Sequence, residues 1–192
     1  MTQIEESFES QERQPEEKFN LKVELWEWME AVVVSFVILI FIFAFFFRIV
    51  GISGSSMETT LMNENKVIVM SMFYTPAAGD VVVINQPNEF GKPIIKRIIA
   101  MENQTVDINF ETGDVYVDDQ KLEEPYISSP TTVSEGVDFP VTVPEGKVFV
   151  MGDNRQDSLD SRSEKIGMID TRYILGKAVL RIFPLDSIGF IH

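Results

Sequence analysis

Pro93-Ile94-Ile95-Lys96-Arg97-Ile98-Ile99-Ala100 decides how the larger part of this chain is read. Four isoleucines and a bounding proline favour an extended strand over a helix turn, because β-branched side chains are stiff at χ1 and pack well on a pleated surface. In a strand, successive side chains alternate faces, so Lys96 shares a face with Ile94, Ile98 and Ala100, and Arg97 points the other way. If the Lys96 face is buried, desolvation disfavours its ammonium. Lowering the pKa from ~10.4 to ~7–8 disfavours the charged form by roughly 3–5 kcal/mol and makes the amine a general base. If the strand is an edge, Lys96 is a solvated lysine with no chemical role. Both readings are open on this segment alone.

Similar Val- and Ile-rich segments surround it: Lys66–Met72, Asp80–Ile84, Thr105–Phe110, Asp114–Val117, Val141–Val143, Lys147–Met151 and Tyr173–Phe183. Gly, Pro and Asn separate them, so the expected fold is mainly β, an antiparallel β-barrel or sheet. Glu111-Thr112-Gly113-Asp114 and Pro144-Glu145-Gly146-Lys147 are expected to be tight hairpin connections. Ile127 to Asp138 is small and polar, and reads as a surface loop.

Toward the amino terminus lies the apolar run Ala31–Phe47, AVVVSFVILIFIFAFFF. At about 1.5 Å per residue it nearly spans a ~30 Å hydrocarbon core. Ile49-Val50 can extend it, with Arg48 snorkelling and Trp26 and Trp28 at the opposite interface. A cleaved signal peptide has a basic leading segment, but Glu24, Glu27 and Glu30 precede this run, so it reads as one transmembrane anchor. Lys18 and Lys22 against Arg48 place the amino terminus inside. The expected organisation is a disordered acidic cytoplasmic tail (1–25), an anchor (26–50) and a β-rich extracytoplasmic catalytic domain (51–192).

A net charge of -14 argues against nucleic acid or an anionic lipid surface as a partner bound through a basic patch. The chain has no cysteine, which excludes disulfides, thiolate nucleophiles and zinc–thiolate sites. Its single histidine is His192, so a Ser-His-Asp triad is not expected, and a nucleophilic serine would need another base, with lysine the known alternative. Ser55 and Ser56 follow the anchor and are equally eligible on residue type, although Gly-Ser-Ser is also ordinary turn chemistry. Gly152-Asp153-Asn154-Arg155-Gln156-Asp157-Ser158-Leu159-Asp160-Ser161-Arg162 is a dense polar loop. It reads as a solvated loop, as a calcium loop without the EF-hand order of ligands, or as a brace of charge-assisted bonds beside a site. Phe73-Tyr74 reads either as a lipid-facing tip or as core.

Taken in order, these pieces resemble the type I signal peptidases of the bacterial membrane, serine/lysine enzymes that remove signal peptides from exported proteins. Ser53-Gly54-Ser55-Ser56-Met57-Glu58-Thr59-Thr60-Leu61 is similar to the family's Ser-Gly-x-Ser-Met-x-Pro-Thr-Leu box, which selects Ser56 over Ser55. Gly79-Asp80-Val81-Val82-Val83 and Lys96-Arg97-Ile98-Ile99 resemble the next two boxes, and Gly152 to Arg162 resembles the last. Thr59 replaces the usual proline, and Ala100 to Gln104 replaces the usual Gly-Leu-Pro-Gly-Asp. The short chain is similar to the compact Gram-positive form.

The resemblance implies Ser56 as nucleophile and Lys96 as general base, acting through an acyl-enzyme. It implies Ser158 bonded to Lys96, an Asp153–Arg97 pair bracing the site, and Asp160 with Arg162 supporting the loop. Met57 is expected to line a substrate pocket, and the Ser56 N–H to serve the oxyanion. No cofactor or metal is implied. The expected partners are the lipid bilayer and signal peptides of exported preproteins with small residues before the cut; the expected state is a monomer in the plasma membrane. Two rivals are a self-cleaving repressor, which would need a DNA-binding module, and a membrane-tethered β-domain that binds exported chains without cutting. A non-cutting paralogue would be expected to lack Ser56 or Lys96, and this chain has both.

Overall fold

The computed structural model describes residues 20–86 and 91–192. Most of the expected acidic tail, residues 1–19, lies outside them. Two compact units divide after Ile42, within the one long helix of the described residues. Helix α1, Leu21–Phe46, is apolar enough to cross a membrane and has no buried residue. It begins before the expected anchor and ends earlier. Residues 47–50, expected as the end of the anchor, instead belong to a strand, β1 (Phe47–Gly51), paired antiparallel with β2 (Lys66–Met70) from Phe47↔Met70 to Gly51↔Lys66. Ile49 and Val50 suit an extended backbone, and the neighbouring β2 supplies the ladder partners that their N–H and C=O groups require.

The second unit holds the remaining strands: β3 (Val81–Ile84), β4 (Ile94–Ala100), β5 (Thr105–Asn109), β6 (Asp114–Val117), β7 (Gln120–Lys121), β8 (Val141–Thr142), β9 (Lys147–Met151), β10 (Ile169–Asp170), β11 (Ile174–Phe183) and β12 (Gly189–Phe190). All pairings are antiparallel. One sheet runs β1-β2-β11-β3-β4-β9-β10 with β12 added to β11; the other runs β7-β6-β5-β8. The expected antiparallel, mainly β fold with one amino-terminal apolar helix is therefore observed.

The two predicted tight connections have different fates. Residues 110–113 join β5 to β6 as a hairpin, with Asn109 Oδ1 accepting from the Glu111 and Thr112 N–H groups. Gly113 takes φ +80 there, and a Cβ would collide with Pro130. Pro144–Lys147 is a tight turn but not a hairpin: β8 pairs with β5 in the small sheet, and β9 pairs with β4 in the large one. The turn carries the chain between sheets.

Two core clusters determine where the site sits. Val82, Ile84, Ile98, Val148 and Val150 form one of them, on the Lys96 face of β4, where Val82 pairs opposite Lys96. Met57, Leu61, Val67, Val69, Val81 and Val83 form the other, on the opposite face. Paired with β3 on one side and β9 on the other, β4 is central and not an edge, and it has apolar layers on both faces. Both cations of Lys96-Arg97 are consequently buried, and burial of that kind persists only if each finds a specific polar partner. Phe73 and Tyr74 divide: Phe73 is 88% exposed, whereas Tyr74 is half-buried with its hydroxyl donating to Asp80.

Candidate active site

Ser56 sits on the loop between β1 and β2. The loop neck is closed by Ile52 N–H donating to Asn65 O and Glu64 N–H donating to Ile52 O. Within it, Leu61 N–H donates to Met57 O, which closes one turn whose two apolar side chains both enter the core. Met57 is 1% exposed and packs against the Val67–Val69 cluster, so it does not line a pocket as expected. Its burial, with that of Leu61, packs the turn that follows Ser56 onto the core.

Lys96 reaches this loop from β4. Its Nζ lies 2.7 Å from Ser56 Oγ, and the side chain is only 3% exposed. Burial lowers its pKa from 10.5 to about 8; among the surrounding charges, Asp160, Glu135 and Asp153 oppose that shift and Arg162 favours it. An amine that loses its proton near neutral pH, in hydrogen-bond reach of a hydroxyl, has the geometry and basicity of a general base.

The 152–162 loop surrounds this pair. Asp160 is fully buried and accepts from Gly152 N–H, Ser158 Oγ, Arg162 Nε and Arg162 Nη2. Burial alone would raise its pKa, but the Arg162 bonds and charge and the Gly152 N–H outweigh it and hold the carboxyl below its usual range. Ser158 was expected to bond Lys96; its hydroxyl instead donates to Asp160 at 2.7 Å. A buried carboxylate two residues away is the stronger acceptor. Gly152 explains the tightness: a Cβ there would collide with Ser158 Oγ and with the carbonyl of Ser56.

The same loop holds the nucleophile's backbone. Asn154 N–H donates to Ser56 O at 3.1 Å, Asn154 Nδ2 donates to Ser55 O, and Ser55 Oγ donates to Asp157 Oδ2 at 2.5 Å. Ser55 and Ser56 are thereby distinguished, since one hydroxyl is committed to a carboxylate and the other faces the lysine. Asp153 and Arg97 form a bidentate pair, Nε to Oδ1 at 2.8 Å and Nη2 to Oδ2 at 2.7 Å, with both side chains buried.

Arg155 has no role in the sequence reading, yet it is fully buried. It donates to Glu124 through both terminal nitrogens, to Thr131 Oγ1 and to Gly152 O. The Tyr126 ring centroid lies 3.9 Å from the Arg97 guanidinium carbon and 5.9 Å from that of Arg155. Within the expected surface loop Ile127–Asp138, alternate residues are exposed, but Thr131 is buried and accepts from Arg155. Glu124 and Arg155 had no visible partners in sequence, because they are 31 positions apart. Glu135 also joins the site, accepting from Asp160 N–H, with its carboxyl pushed up by burial and by Asp160.

A cleft of about 590 Å³ opens onto Ser56 and Lys96. Residues 50–56 form one wall, residues 92–96 another, and Leu159 and Asp157 the rim. Among the described residues, no group of three or more His, Asp or Glu side chains is placed to hold a metal ion, and Asp153, Asp157 and Asp160 of the 152–162 loop each accept from donors of this chain.

Residues 25–183 match the family model described as signal peptidase, peptidase S26. The chain is 36% identical over 183 residues to the signal peptidase I of Bacillus licheniformis, covering 90% of this chain and 96% of that one. Signal peptidase I S of Bacillus subtilis (strain 168) is 32% identical over 182 residues, covering 89% of this chain and 96% of that one. A crystal structure of a signal peptidase I from Enterococcus faecalis V583 aligns with a TM-score of 0.44 at 29% identity, covering 54% of this chain and 97% of that one. With a matching family model over most of its length and full-length relatives above 30% identity, this chain belongs to the signal peptidase family, peptidase S26.

Proposed function

We propose that this serine endopeptidase removes signal peptides from exported preproteins, with Ser56 as nucleophile and neutral Lys96 as general base. The observation that carries the reading is the 2.7 Å approach of Lys96 Nζ to Ser56 Oγ in a buried setting that brings the amine's pKa to about 8. Lys96 takes the hydroxyl proton as Ser56 Oγ bonds to the carbonyl carbon before the scissile bond. The resulting ammonium returns the proton to the departing amine, leaving an ester on Ser56. A water deprotonated by Lys96 then attacks the ester, and Ser56 regains its proton. The Ser56 N–H is the donor available at the developing oxyanion.

The substrate enters extended along the cleft, between the 50–56 and 92–96 walls. Backbone bonds give affinity, and apolar side chains such as Val50, Ile52 and Leu159 leave room for small residues before the cut. Helix α1 anchors the enzyme in the plasma membrane as a single span, with residues 1–20 cytoplasmic and the β domain acting on the outer face as a monomer. Lys18 and Lys22 on the amino-terminal side against Arg48 on the other support this orientation. Protease added to right-side-out vesicles should spare the amino terminus; digestion of that terminus would reverse the topology. For the activity, the full chain in detergent is given a preprotein with an Ala-x-Ala site and the product is sequenced from its amino terminus. A single new terminus just after that site is expected, and it should vanish with Ser56→Ala. Cutting at scattered positions, or by Ser56→Ala, would overturn the reading.

A further inference from the structure

Arg97 has five N–H donors, and the structure gives each an acceptor. Nε and Nη2 hold Asp153, Nη1 donates to Gly79 O and to His192 O, and the remaining Nη2 bond goes to Thr60 Oγ1 at 3.4 Å. Thr60 Oγ1 in turn donates to Asp153 Oδ2 at 2.5 Å. Among the described residues, Thr60 is the only side chain of the Ser56 loop that bonds either member of the Arg97–Asp153 pair. Its carbonyl is also held, accepting from Arg181 Nη1 at 3.1 Å. Thr60 is four residues from the nucleophile, on the turn that ends at Leu61, and Arg97 is the neighbour of Lys96 in β4.

We infer that Thr60 is a positioning residue for the reaction: its hydroxyl ties the Ser56 loop to the Arg97–Asp153 pair and so fixes the distance between Ser56 and Lys96. The inference rests on the Ser56/Lys96 reading above. Ser56 and Lys96 come from different elements, separated by 40 positions. The core holds Met57 and Leu61, and Asn154 holds the Ser56 carbonyl, which links the loop to the Arg97–Asp153 pair only indirectly, through the backbone between Asn154 and Asp153; a direct reference needs a side-chain bond from the loop to the pair itself. Thr60 supplies that reference by accepting from the guanidinium and donating to the carboxylate at once. Serine retains both abilities. Valine keeps the shape and has neither. A displacement of about 1 Å at reacting atoms costs on the order of a hundredfold in rate, and the effect falls on kcat when substrate contacts are intact.

The test measures kcat and KM for preprotein cleavage by the full chain in detergent, for wild type, Thr60→Val, Thr60→Ser and Ser56→Ala, together with their thermal unfolding. Thr60→Val is expected to lose about 10- to 100-fold in kcat with KM within about twofold, while Thr60→Ser stays within about threefold of wild type. Wild-type turnover by Thr60→Val overturns the inference. So do equal losses in both variants, which would make the methyl the important group, and a Thr60→Val chain that does not fold, which would assign the hydroxyl to the fold. Cleavage by Ser56→Ala would instead defeat the dyad reading, independently of Thr60.

Discussion

Replacing Lys96 with methionine should make the protein more stable at neutral pH, and the gain should disappear in alkali. The folded pKa of about 8 lies below the ordinary 10.5, so the native state penalises the protonated lysine. The gap of about 2.5 pH units, at ~1.36 kcal/mol each, is worth roughly 3 kcal/mol. Loss of the Ser56 bond offsets about 1 kcal/mol of that, leaving a net gain of roughly 2 kcal/mol at pH 6–7. The sign follows from proton counting. Between pH 8 and 10.5 the unfolded chain holds a proton that the folded chain has released, so wild-type stability rises with pH there. The penalty is complete below pH 8 and absent above 10.5. Denaturant unfolding of wild type and Lys96→Met in detergent, from pH 6 to pH 10.5, reads the difference directly, because titrating groups not coupled to Lys96 cancel. At roughly 2–4 °C per kcal/mol for a domain of this size, the neutral-pH advantage should appear as a rise of several degrees in Tm. A difference that does not change with pH would refute a desolvated Lys96 and with it the route to a neutral amine.

Further outcomes follow from the same geometry. The pH profile of kcat/KM should rise to a plateau with an apparent pKa near 8, since only neutral Lys96 accepts the Ser56 proton; a profile already flat from pH 6 would contradict this. Gly152→Ala should cut activity by about a hundredfold or more, because the new methyl displaces Ser158 and the Ser56 carbonyl together; steady-state kinetics at matched folded fraction check it. Arg155→Ala should cost about 3–5 kcal/mol by leaving the buried Glu124 carboxylate unpaired, measured by chemical denaturation, and Glu124→Gln in the same background should recover part of it.

Much of the fold was legible because the strands are short, β-branched and bounded by Gly, Pro or Asn; Asp114–Val117 and Lys147–Met151 were placed to the residue. The two-residue strands β7, β8, β10 and β12 carry almost no pattern. Only β8 was expected, as Val141–Val143; β8 and β10 exist through pairing with the distant β5 and β9, and β7 and β12 through short returns onto β6 and β11. The boundary at Phe47 was missed for a related reason: Phe47–Gly51 continues the apolar composition of the helix, and only the ladder with β2 turns it into a strand. Alternation placed Lys96 and Arg97 on opposite faces, but it gave no sign that both faces were buried. The motif's order and spacing singled out Ser56 and Lys96, whose separation no local pattern explains. What stayed hidden were the side-chain destinations: Met57 turning into the core, Ser158 donating to Asp160 and not Lys96, and Arg155 reaching back to Glu124. Each is a choice among competing acceptors or cavities, decided by tertiary packing.

The assignment of chemistry to Ser56 and Lys96 is tested most directly by single-turnover cleavage of a preprotein at pH 8 with wild type, Ser55→Ala, Ser56→Ala and Lys96→Ala in parallel, each first shown to be folded. The dyad predicts that Ser56→Ala and Lys96→Ala each lose at least about a thousandfold, and that Ser55→Ala, which loses only its bond to Asp157, stays within about tenfold. Cleavage by Lys96→Ala at the wild-type rate, or loss of activity in Ser55→Ala with Ser56→Ala still cutting, would contradict it.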